Sequence, residues 1–164
     1  MKILKNDNPR WTEKHLQFIS DHADSFGIYL SLEELEQEIH NINNDNASRR
    51  CSEDMLCFEI FNDDIEYVGD ITLTLLDMNE HEIDILIFDE YAGHGYAGWA
   101  INMFCELYQR ERIGLRLEGV IRAVNTYKEH VEKIFNRAQF NFQYEDDEGN
   151  KVYARSFEDD RNFT

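Results

Sequence analysis

The residues whose types and spacing could do chemistry lie in one stretch, from Glu82 to Cys105. Two carboxylates, Glu82 and Asp84, stand two positions apart in a short run rich in isoleucine, which is typical of a buried β-strand. A carboxylate on a central strand is partly desolvated, and desolvation raises its pKa towards the range of a useful general base. Glu82 is therefore the first candidate for a base and Asp84 the second. The alternative is that Glu82 merely begins the strand at its solvent edge.

A loop of small residues follows this strand and reads Ala92-Gly93-His94-Gly95-Tyr96-Ala97-Gly98. Beyond the loop, apolar residues recur mostly at three- and four-residue steps, which predicts a helix from Tyr96 to about Arg110. Glycine lets backbone N–H groups approach an oxyanion closely, and a helix N-terminus adds partial positive charge. The arrangement favours a phosphate-binding site, although a tight turn would use the same glycines.

Two common phosphate-binding motifs do not fit. Gly93, Gly95 and Gly98 have the spacing of the dinucleotide fingerprint, but no acidic residue ends a second strand at the expected distance. No Gly-Lys-Ser/Thr sequence follows, so the loop is not a P-loop.

The length and composition predict one globular domain over residues 1–164. Hydrophobic residues make up 42% of the 164 residues, enough for one sizeable core. Three cysteines are typical of a reduced, cytoplasmic protein. We expect no metal, because His81, His94 and His130 lack ligand partners at the required spacing. The N-terminus does not resemble a signal peptide, and no apolar run has the length of a membrane span, so no membrane association is expected.

The net charge of −18 limits the classes of partner. Nucleic-acid binding needs Lys and Arg to neutralise phosphates, so we expect no nucleic-acid partner. An acidic surface can raise the local concentration of a cationic substrate. A generic acidic surface would carry the same charge, so this observation supports a cationic substrate without establishing one.

Periodicity and turn residues predict the remaining elements. Thr12 is placed to cap the first helix, Gly27 to end it, and Ser31 to Glu34 form a capping box before the second. The predicted helices are Thr12 to Phe26, Leu32 to about Ile42 with an apolar face of Leu32, Leu35 and Ile39, Tyr96 to about Arg110, and Tyr127 to Ala138. The predicted strands are Met55 to Asn62, Ile65 to Leu76 with a bulge at Gly69, Ile83 to Phe88, Leu115 to Val124, Phe140 to Tyr144 and Lys151 to Phe157, with Met1 to Leu4 as a short edge strand.

The loop at residues 92–97 resembles the pyrophosphate-binding loop of the GNAT acetyltransferases, whose pattern is Gln/Arg-x-x-Gly-x-Gly/Ala. The sequence is most similar to the branch that contains ribosomal-protein and spermidine acetyltransferases. Ala92 stands where the pattern has Gln or Arg, so one side-chain contact to the cofactor is lost. The order of the predicted elements agrees with the same family. The resemblance implies an α+β fold in three α/β layers, with a mixed, mostly antiparallel central sheet flanked by helices.

The resemblance also implies an acetyl-CoA-dependent N-acetyltransferase that moves an acetyl group to a primary amine. In the family, main-chain groups of the strand before the loop bind the pantetheine arm, the loop binds the pyrophosphate, and an asparagine after the next strand contacts the cofactor. The matching residues here are Ile85, Ile87, Ala92, Gly93, His94, Gly95, Tyr96, Ala97 and Asn125. Glu82 would then act as the base through a water molecule.

The family's proton donor to the thiolate, a tyrosine before Gly-Phe, has no direct equivalent. Counted back from Phe140, with Gln139 in the glycine place, the tyrosine position holds Phe135. Tyr127 could replace it as the acid, although a surface tyrosine at a helix start is the plainer interpretation. Solvent protonation of the thiolate is the other alternative.

The acceptor is indicated by one further resemblance. Residues 31–50 resemble the second helix and loop of bacterial spermidine acetyltransferases, which implies a polyamine or other small cationic amine bound by Glu33, Glu34, Glu36 and Asp54. The alternatives are a protein N-acetyltransferase for α-amines or lysines, and a catalytically degenerate GNAT-like acidic binding protein. The family also implies a homodimer or larger homo-oligomer.

Overall fold

A mixed β-sheet organises the computed structural model, which describes residues 1–26 and 28–159. Its seven strands are β1 (Lys2–Asn6), β2 (Met55–Phe61), β3 (Tyr67–Asp77), β4 (Glu80–Ile87), β5 (Arg116–Ile121), β6 (Asn141–Glu145) and β7 (Lys151–Ser156). They lie in the order β1-β2-β3-β4-β5-β7-β6. Neighbouring strands are antiparallel except for the parallel pair β4 and β5. The predicted α+β class with a mostly antiparallel sheet is confirmed.

Helices flank both faces of this sheet. They are α1 (Glu13–Asp21), α2 (Ala23–Phe26), α3 (Leu32–Asn43), α4 (Tyr96–Arg110) and α5 (Lys128–Arg137), with a short 3-10 helix at Asp89–Tyr91. Among the described residues, no helix combines the length and apolar character that a membrane span requires.

The main core lies between the sheet and the helices α4 and α5. Ile71 of β3 and Ile83 of β4 are buried here, together with Ile101 and Phe104 of α4. The ring of Phe104 packs against Phe58 of β2 at a centroid distance of 5.0 Å. Burying this apolar surface fixes which face of β4 points inward, and so turns Glu82 and Asp84 towards the opposite face.

That opposite face, here called the polar face, carries α1. Register pairs place Glu82 beside Thr74 and Asp84 beside Thr72, while Asp70 lies beside Leu86. Partners in register project to the same side of an antiparallel sheet. The predicted alternation along β4 is therefore confirmed, and its carboxylates share a surface with polar residues of β3.

The first predicted helix is interrupted. Thr12 caps α1 as expected, and its side chain accepts a hydrogen bond from His15 N at 3.3 Å. The helix ends at Asp21, however, because His22 leaves helical geometry with φ −126°. The His22 ring instead contacts the Asp89 carboxylate at 2.9 Å. The predicted stop at Gly27 lies outside the described residues.

Helix α3 has the predicted capping box but not a buried face. Ser31 Oγ accepts from Glu34 N at 3.1 Å, and a Glu34 oxygen accepts from Ser31 N at 2.8 Å. Leu32 is 72% exposed and Ile39 is 39% exposed, and no residue of this helix is buried. Helix α3 contacts α1 at the edge of the polar face. Its apolar spacing therefore does not mark a contact with the core, as its predicted apolar face had suggested.

The remaining differences are at element ends. Strand β1 runs from Lys2 to Asn6 and pairs with β2 as an edge strand. Strand β5 stops at Ile121 rather than Val124, because Ala123 N donates to Asn150 Oδ1 at 3.0 Å instead of continuing the ladder.

Candidate functional site

The parallel strands β4 and β5 stay paired over only three residue pairs. The last of these joins Glu82 to Glu118. Strand β4 continues for five residues to Ile87 and β5 continues to Ile121, and no described strand pairs with residues 83–87 on the β5 side. The sheet therefore opens into a cleft whose β4 edge presents free backbone donors and acceptors. Ile85 and Ile87, the predicted pantetheine-binding positions, lie on this edge.

The glycine loop lies at the open end of the cleft. Gly93 and Gly95 adopt left-handed conformations, with φ of 77° and 79°, which other residues rarely adopt. The first backbone hydrogen bond of α4 runs from Trp99 N to Gly95 O at 3.1 Å. Within the described part of the chain, the N–H groups of residues 93–98 have no acceptor. They form a row of unpaired donors at a helix N-terminus.

The space in front of this row is open. A Cβ atom built at Gly93, Gly95 or Gly98 would meet no atom within 4 Å. Unpaired N–H groups, the positive end of the α4 dipole and free space are what a bound phosphate requires. Residues 93–97, together with Ala92, which is exposed, thus fit the pyrophosphate group of a nucleotide cofactor.

His94 shapes the loop. Its Nδ1 lies 3.0 Å from Tyr91 O and 2.9 Å from Ala92 O, so this nitrogen carries the proton and donates to both carbonyls. Its ring stacks on Tyr96 at 5.8 Å. These contacts hold the turn between the 3-10 helix and α4. They give His94 a structural role next to the open space.

Glu82 and Asp84 lie at the start of the cleft. Glu82 is half-buried in the middle of β4 and does not begin the strand. Desolvation, then the nearby charges of Asp84 and Glu118, raises the pKa of Glu82. Asp84 faces the open cleft and is exposed, yet desolvation by the surrounding protein raises its pKa too. Both carboxylates are thus poised to take up a proton more readily than a surface residue does.

Two further charged residues complete this group, Glu118 of β5 and Arg122 directly after the strand, and sequence reasoning did not single them out. Glu118 is the register partner of Glu82. Arg122 lies on the same side as Glu118. Its positive charge partly offsets the rise in the pKa of Glu82 and Asp84. Period-two alternation of charged residues along β5 was the signal that could have identified them.

The residues predicted after β5 are placed as follows. Asn125 lies four residues beyond the end of β5, and its Oδ1 accepts a hydrogen bond from Tyr127 N at 2.8 Å. Tyr127 is the N-cap residue of α5 and is 66% exposed. Phe135 is a core residue, 7% exposed, that packs on Phe140 at 5.1 Å. Gln139 has φ 65°, the conformation for which a glycine is the usual residue.

The acidic residues predicted to bind the acceptor do not form one group. Glu33, Glu34 and Glu36 are exposed on α3, and Glu34 is occupied by the capping box. Asp54 is exposed and accepts from Ser52 Oγ at 2.6 Å. None of these four carboxylates contacts Glu82 in the described part of the chain.

A buried polar cluster fastens α1 to the polar face. His15 Nε2 lies 2.5 Å from Asp70 Oδ2, and Arg50 Nη2 donates to Asp70 Oδ1 at 3.3 Å. Tyr67 donates its hydroxyl proton to the same carboxylate oxygen. His15 and Asp70 are only 2% and 4% exposed, so removing one member would leave a buried polar or charged group unpaired. No local sequence signal marks the cluster, because its members lie far apart along the chain.

Comparisons with known proteins agree with this geometry. No protein-family model matches the sequence, and no curated protein matches it. Solved structures do match. Ribosomal-protein-S5-alanine acetyltransferase from Vibrio fischeri aligns with a TM-score of 0.61 at 12% identity, over 87% of this chain and 84% of that one. The chain has the GNAT fold.

Two further GNAT-fold structures carry ligands. Spermidine N-acetyltransferase from Vibrio cholerae, in complex with CoA and spermine, aligns with a TM-score of 0.59 at 14% identity, over 93% of this chain and 92% of that one. The Campylobacter jejuni N-acetyltransferase PseH, in complex with acetyl coenzyme A, aligns with a TM-score of 0.62 at 11% identity, over 96% of this chain and the whole of that one. The structural neighbours include the branch that the sequence resembles.

Proposed function

We propose that this protein is an acetyl-CoA-dependent N-acetyltransferase of the cytoplasm, with the domain spanning residues 1–164 and a small cationic amine as acceptor. One observation carries the proposal. Among the described residues, the N–H groups at the start of α4 are unpaired and the β4 edge beside them has no strand partner, and the same strand presents Glu82. A phosphate site, a backbone edge and a carboxylate thus follow one another along a single cleft.

In this proposal the donor is held along that cleft. The N–H groups of Gly93 to Ala97 bind the pyrophosphate, and backbone groups of Ile85 and Ile87 pair with the pantetheine amides. Asn125, at the end of the segment that follows β5, contacts the same arm. These interactions position the thioester at the point where β4 and β5 part, close to Glu82.

The chemical step needs a neutral amine and a protonated leaving group. Glu82, with its raised pKa, accepts a proton from the acceptor ammonium through a water molecule, and Asp84 is the second candidate for this role. The amine nitrogen then forms a bond to the carbonyl carbon, the C–S bond breaks, and the nitrogen releases its second proton to solvent as the amide forms. Tyr127 supplies the proton to the thiolate, with solvent as the alternative source. Because Tyr127 is exposed, the rate of Tyr127→Phe distinguishes these two sources.

A polyamine is the favoured acceptor. Glu82 and Asp84 gather negative charge at the start of the cleft, beside Glu118, which forms an ion pair with Arg116. Carboxylates on α3 and the loop that follows it add to this charge: Glu33, Glu34, Glu36 and Asp54. Several spaced carboxylates suit an acceptor with several positive charges. The neighbouring structure that holds spermine supports this choice.

Two measurements test the proposal. Thermal unfolding with acetyl-CoA at a hundred times its dissociation constant should raise stability by about 2.7 kcal/mol. Release of free thiol should then depend on an added amine, with spermidine tested first. Glu82→Gln should retain the thermal shift and lose thiol release. No shift at millimolar acetyl-CoA would overturn the donor site, and a fully active Glu82→Gln would remove the base.

A protein α-amine is the second candidate acceptor. The fold match to ribosomal-protein-S5-alanine acetyltransferase favours it. Faster thiol release with short peptides than with spermidine would select this acceptor. Donor binding without transfer to either class would instead indicate a degenerate domain that binds basic partners.

A further inference from the structure

Arg122 differs from the other arginines that reach the polar face of the sheet. Arg50 forms an ion pair with Asp70 at 3.3 Å, and Arg116 forms one with Glu118 at 2.6 Å. The Arg122 guanidinium has no carboxylate oxygen of the described residues within 4.0 Å. It is nevertheless half-buried, so its charge is only partly screened by water.

The fold directs this charge at the cleft. Arg122 directly follows the last residue of β5 and stands an even number of residues from Glu118, so alternation along an extended chain places both on one side, the side that Glu82 occupies through its pairing with Glu118. Beyond that pair β4 and β5 part, so Asp84 and Arg122 lie on the two walls of the cleft. The backbone around Arg122 is fixed, because its carbonyl accepts from Asn125 N at 3.0 Å.

The electrostatic effect of Arg122 falls on the groups that face it. Its positive charge lowers the pKa of Asp84 and of Glu82, and so opposes the desolvation that raises the pKa of both carboxyl groups. Its charge also reaches Tyr29, in the connection before α3, whose hydroxyl donates to Asp24. The charge of Arg122 thus acts on Glu82, Asp84 and Tyr29, while Glu118 acts on Glu82 and Asp24 acts on Tyr29.

We propose that Arg122, which has no ion-pair partner among the described residues and lies across the cleft from Glu82 and Asp84, holds both carboxylates in their charged form, so that they can attract a cationic acceptor and take up its proton. Arg122 is thus a positioning residue, and it acts through the two carboxylates rather than on the reacting atoms. The role of Arg122 in catalysis rests on the proposed function, but its effect on the protonation of Glu82 and Asp84 can be measured without any cofactor.

The first test is a ¹³C NMR titration of the carboxyl carbons in the full chain without acetyl-CoA. In Arg122→Gln the Asp84 and Glu82 carbons should both titrate at higher pH than in the wild type. Arg122→Lys keeps the charge and should titrate close to the wild type. Arg110→Gln, which removes an exposed arginine paired with Glu111 on α4, is the matched control and should shift neither carboxylate. Unchanged titration in a folded Arg122→Gln would overturn the proposal.

The second test uses the pH dependence of acetyl transfer. The acid limb of the kcat/KM profile for spermidine should move to higher pH in Arg122→Gln and return with Arg122→Lys. If Arg122→Gln changes KM only for acceptors that carry a carboxylate and leaves the profile in place, the residue contacts the substrate directly and the proposal is wrong. If the wild type transfers no acetyl group, the NMR titration still decides the role of Arg122, and only the proposed function fails.

Discussion

Gly69 lies so close to the carbonyl group of Leu86 that a Cβ atom at position 69 would stand 2.0 Å from the Leu86 oxygen. Gly69 pairs in register with Ile87, and the register of β3 against β2 shifts at the residue before it. Sequence reasoning expected a bulge here, and the shift confirms it. The close approach holds the end of β4 flat against β3 where its other edge faces the cleft.

Replacing Gly69 with alanine should therefore destabilise the protein. The added methyl group must displace backbone rather than a flexible side chain, which costs about 1–3 kcal/mol. Urea unfolding measures this free energy. Gly98→Ala is the control, since its Cβ would meet nothing within 4 Å and it lies in α4, where alanine is favoured by about 1 kcal/mol. Equal stability of Gly69→Ala and the wild type would contradict the close contact.

Glu82→Gln should make the folded protein more stable at neutral pH while it reduces transfer. The folded state raises the pKa of Glu82, so the charged form costs stability that the protonated form does not. The stability that protonated Glu82 contributes is fully present below the pKa of Glu82 in the unfolded chain, and it is lost as the pH rises through the pKa in the folded protein. The variant should therefore exceed the wild type in unfolding midpoint at pH 7 and match it near pH 4.

The same variant should lose about a hundredfold or more in the rate of transfer, as is typical when a general base is removed. Glu106→Gln on the exposed side of α4 serves as the control for both measurements. If Glu82→Gln has the wild-type free energy of unfolding at pH 7, the charge of Glu82 does not destabilise the folded state.

His81 should make the stability depend on pH in the opposite sense. It is buried, and its Nδ1 lies 2.8 Å from the Tyr108 hydroxyl, which itself donates to Arg116 O at 3.1 Å. His81 Nδ1 therefore carries the proton in this contact, and burial lowers the His81 pKa below its usual value of 6.5. The neutral form stabilises the folded state, so this contribution is complete above pH 6.5 and is lost as the pH falls towards the folded pKa.

Urea unfolding of the wild type and His81→Gln at pH 7.5 and pH 5.5 tests this expectation. The wild type should lose more stability between the two pH values than the variant does. If the wild type and His81→Gln lose the same free energy of unfolding between pH 7.5 and pH 5.5, groups other than His81 cause the pH dependence.

Ala92→Arg should tighten the binding of CoA. The loop lacks the cationic or amide side chain that the GNAT pattern carries at this position, and Ala92 is exposed beside the unpaired N–H groups. A charged contact to phosphate at an exposed site is worth about 1 kcal/mol, or about fivefold in affinity. Calorimetry at low and high salt measures it, and the gain should shrink as salt is added. Ala92→Glu should weaken binding, and equal affinity of the two variants would place the phosphates elsewhere.

Much of the fold follows from local signals. The turn at residues 92–95, the helix after it and the hairpin of β6 and β7 are each specified by glycine, capping or alternation within a few residues. The interruption of the first helix at His22 is different, because it accompanies a contact of the His22 ring with Asp89, which lies far along the chain. The exposure of Leu32 on α3 has the same kind of origin, since periodicity predicts an apolar stripe but not what lies opposite it.

The candidate site divides in the same way. Glu82 and the glycine loop could be predicted because they lie within one strand, loop and helix. The groups that lie near Arg122, and the cluster around Asp70, could not be predicted, since they depend on how β3, β4 and β5 align. The residues expected after β5 were counted from a motif, and the structure places Phe135 in the core, where it fills the space that Gly119 leaves free of a side chain.

The short pairing of β4 with β5 divides the sheet into two parts. Strands β1 to β4 form the first part and β5 to β7 the second, and only three residue pairs join the two parts in register. A ligand whose amides pair with residues 83–87 would extend the first part of the sheet as an added strand does. Binding of that ligand should therefore slow hydrogen exchange at these amides more than elsewhere in the protein. The donor would then serve as a temporary strand of the sheet, which forms when the donor binds and is lost when the product leaves.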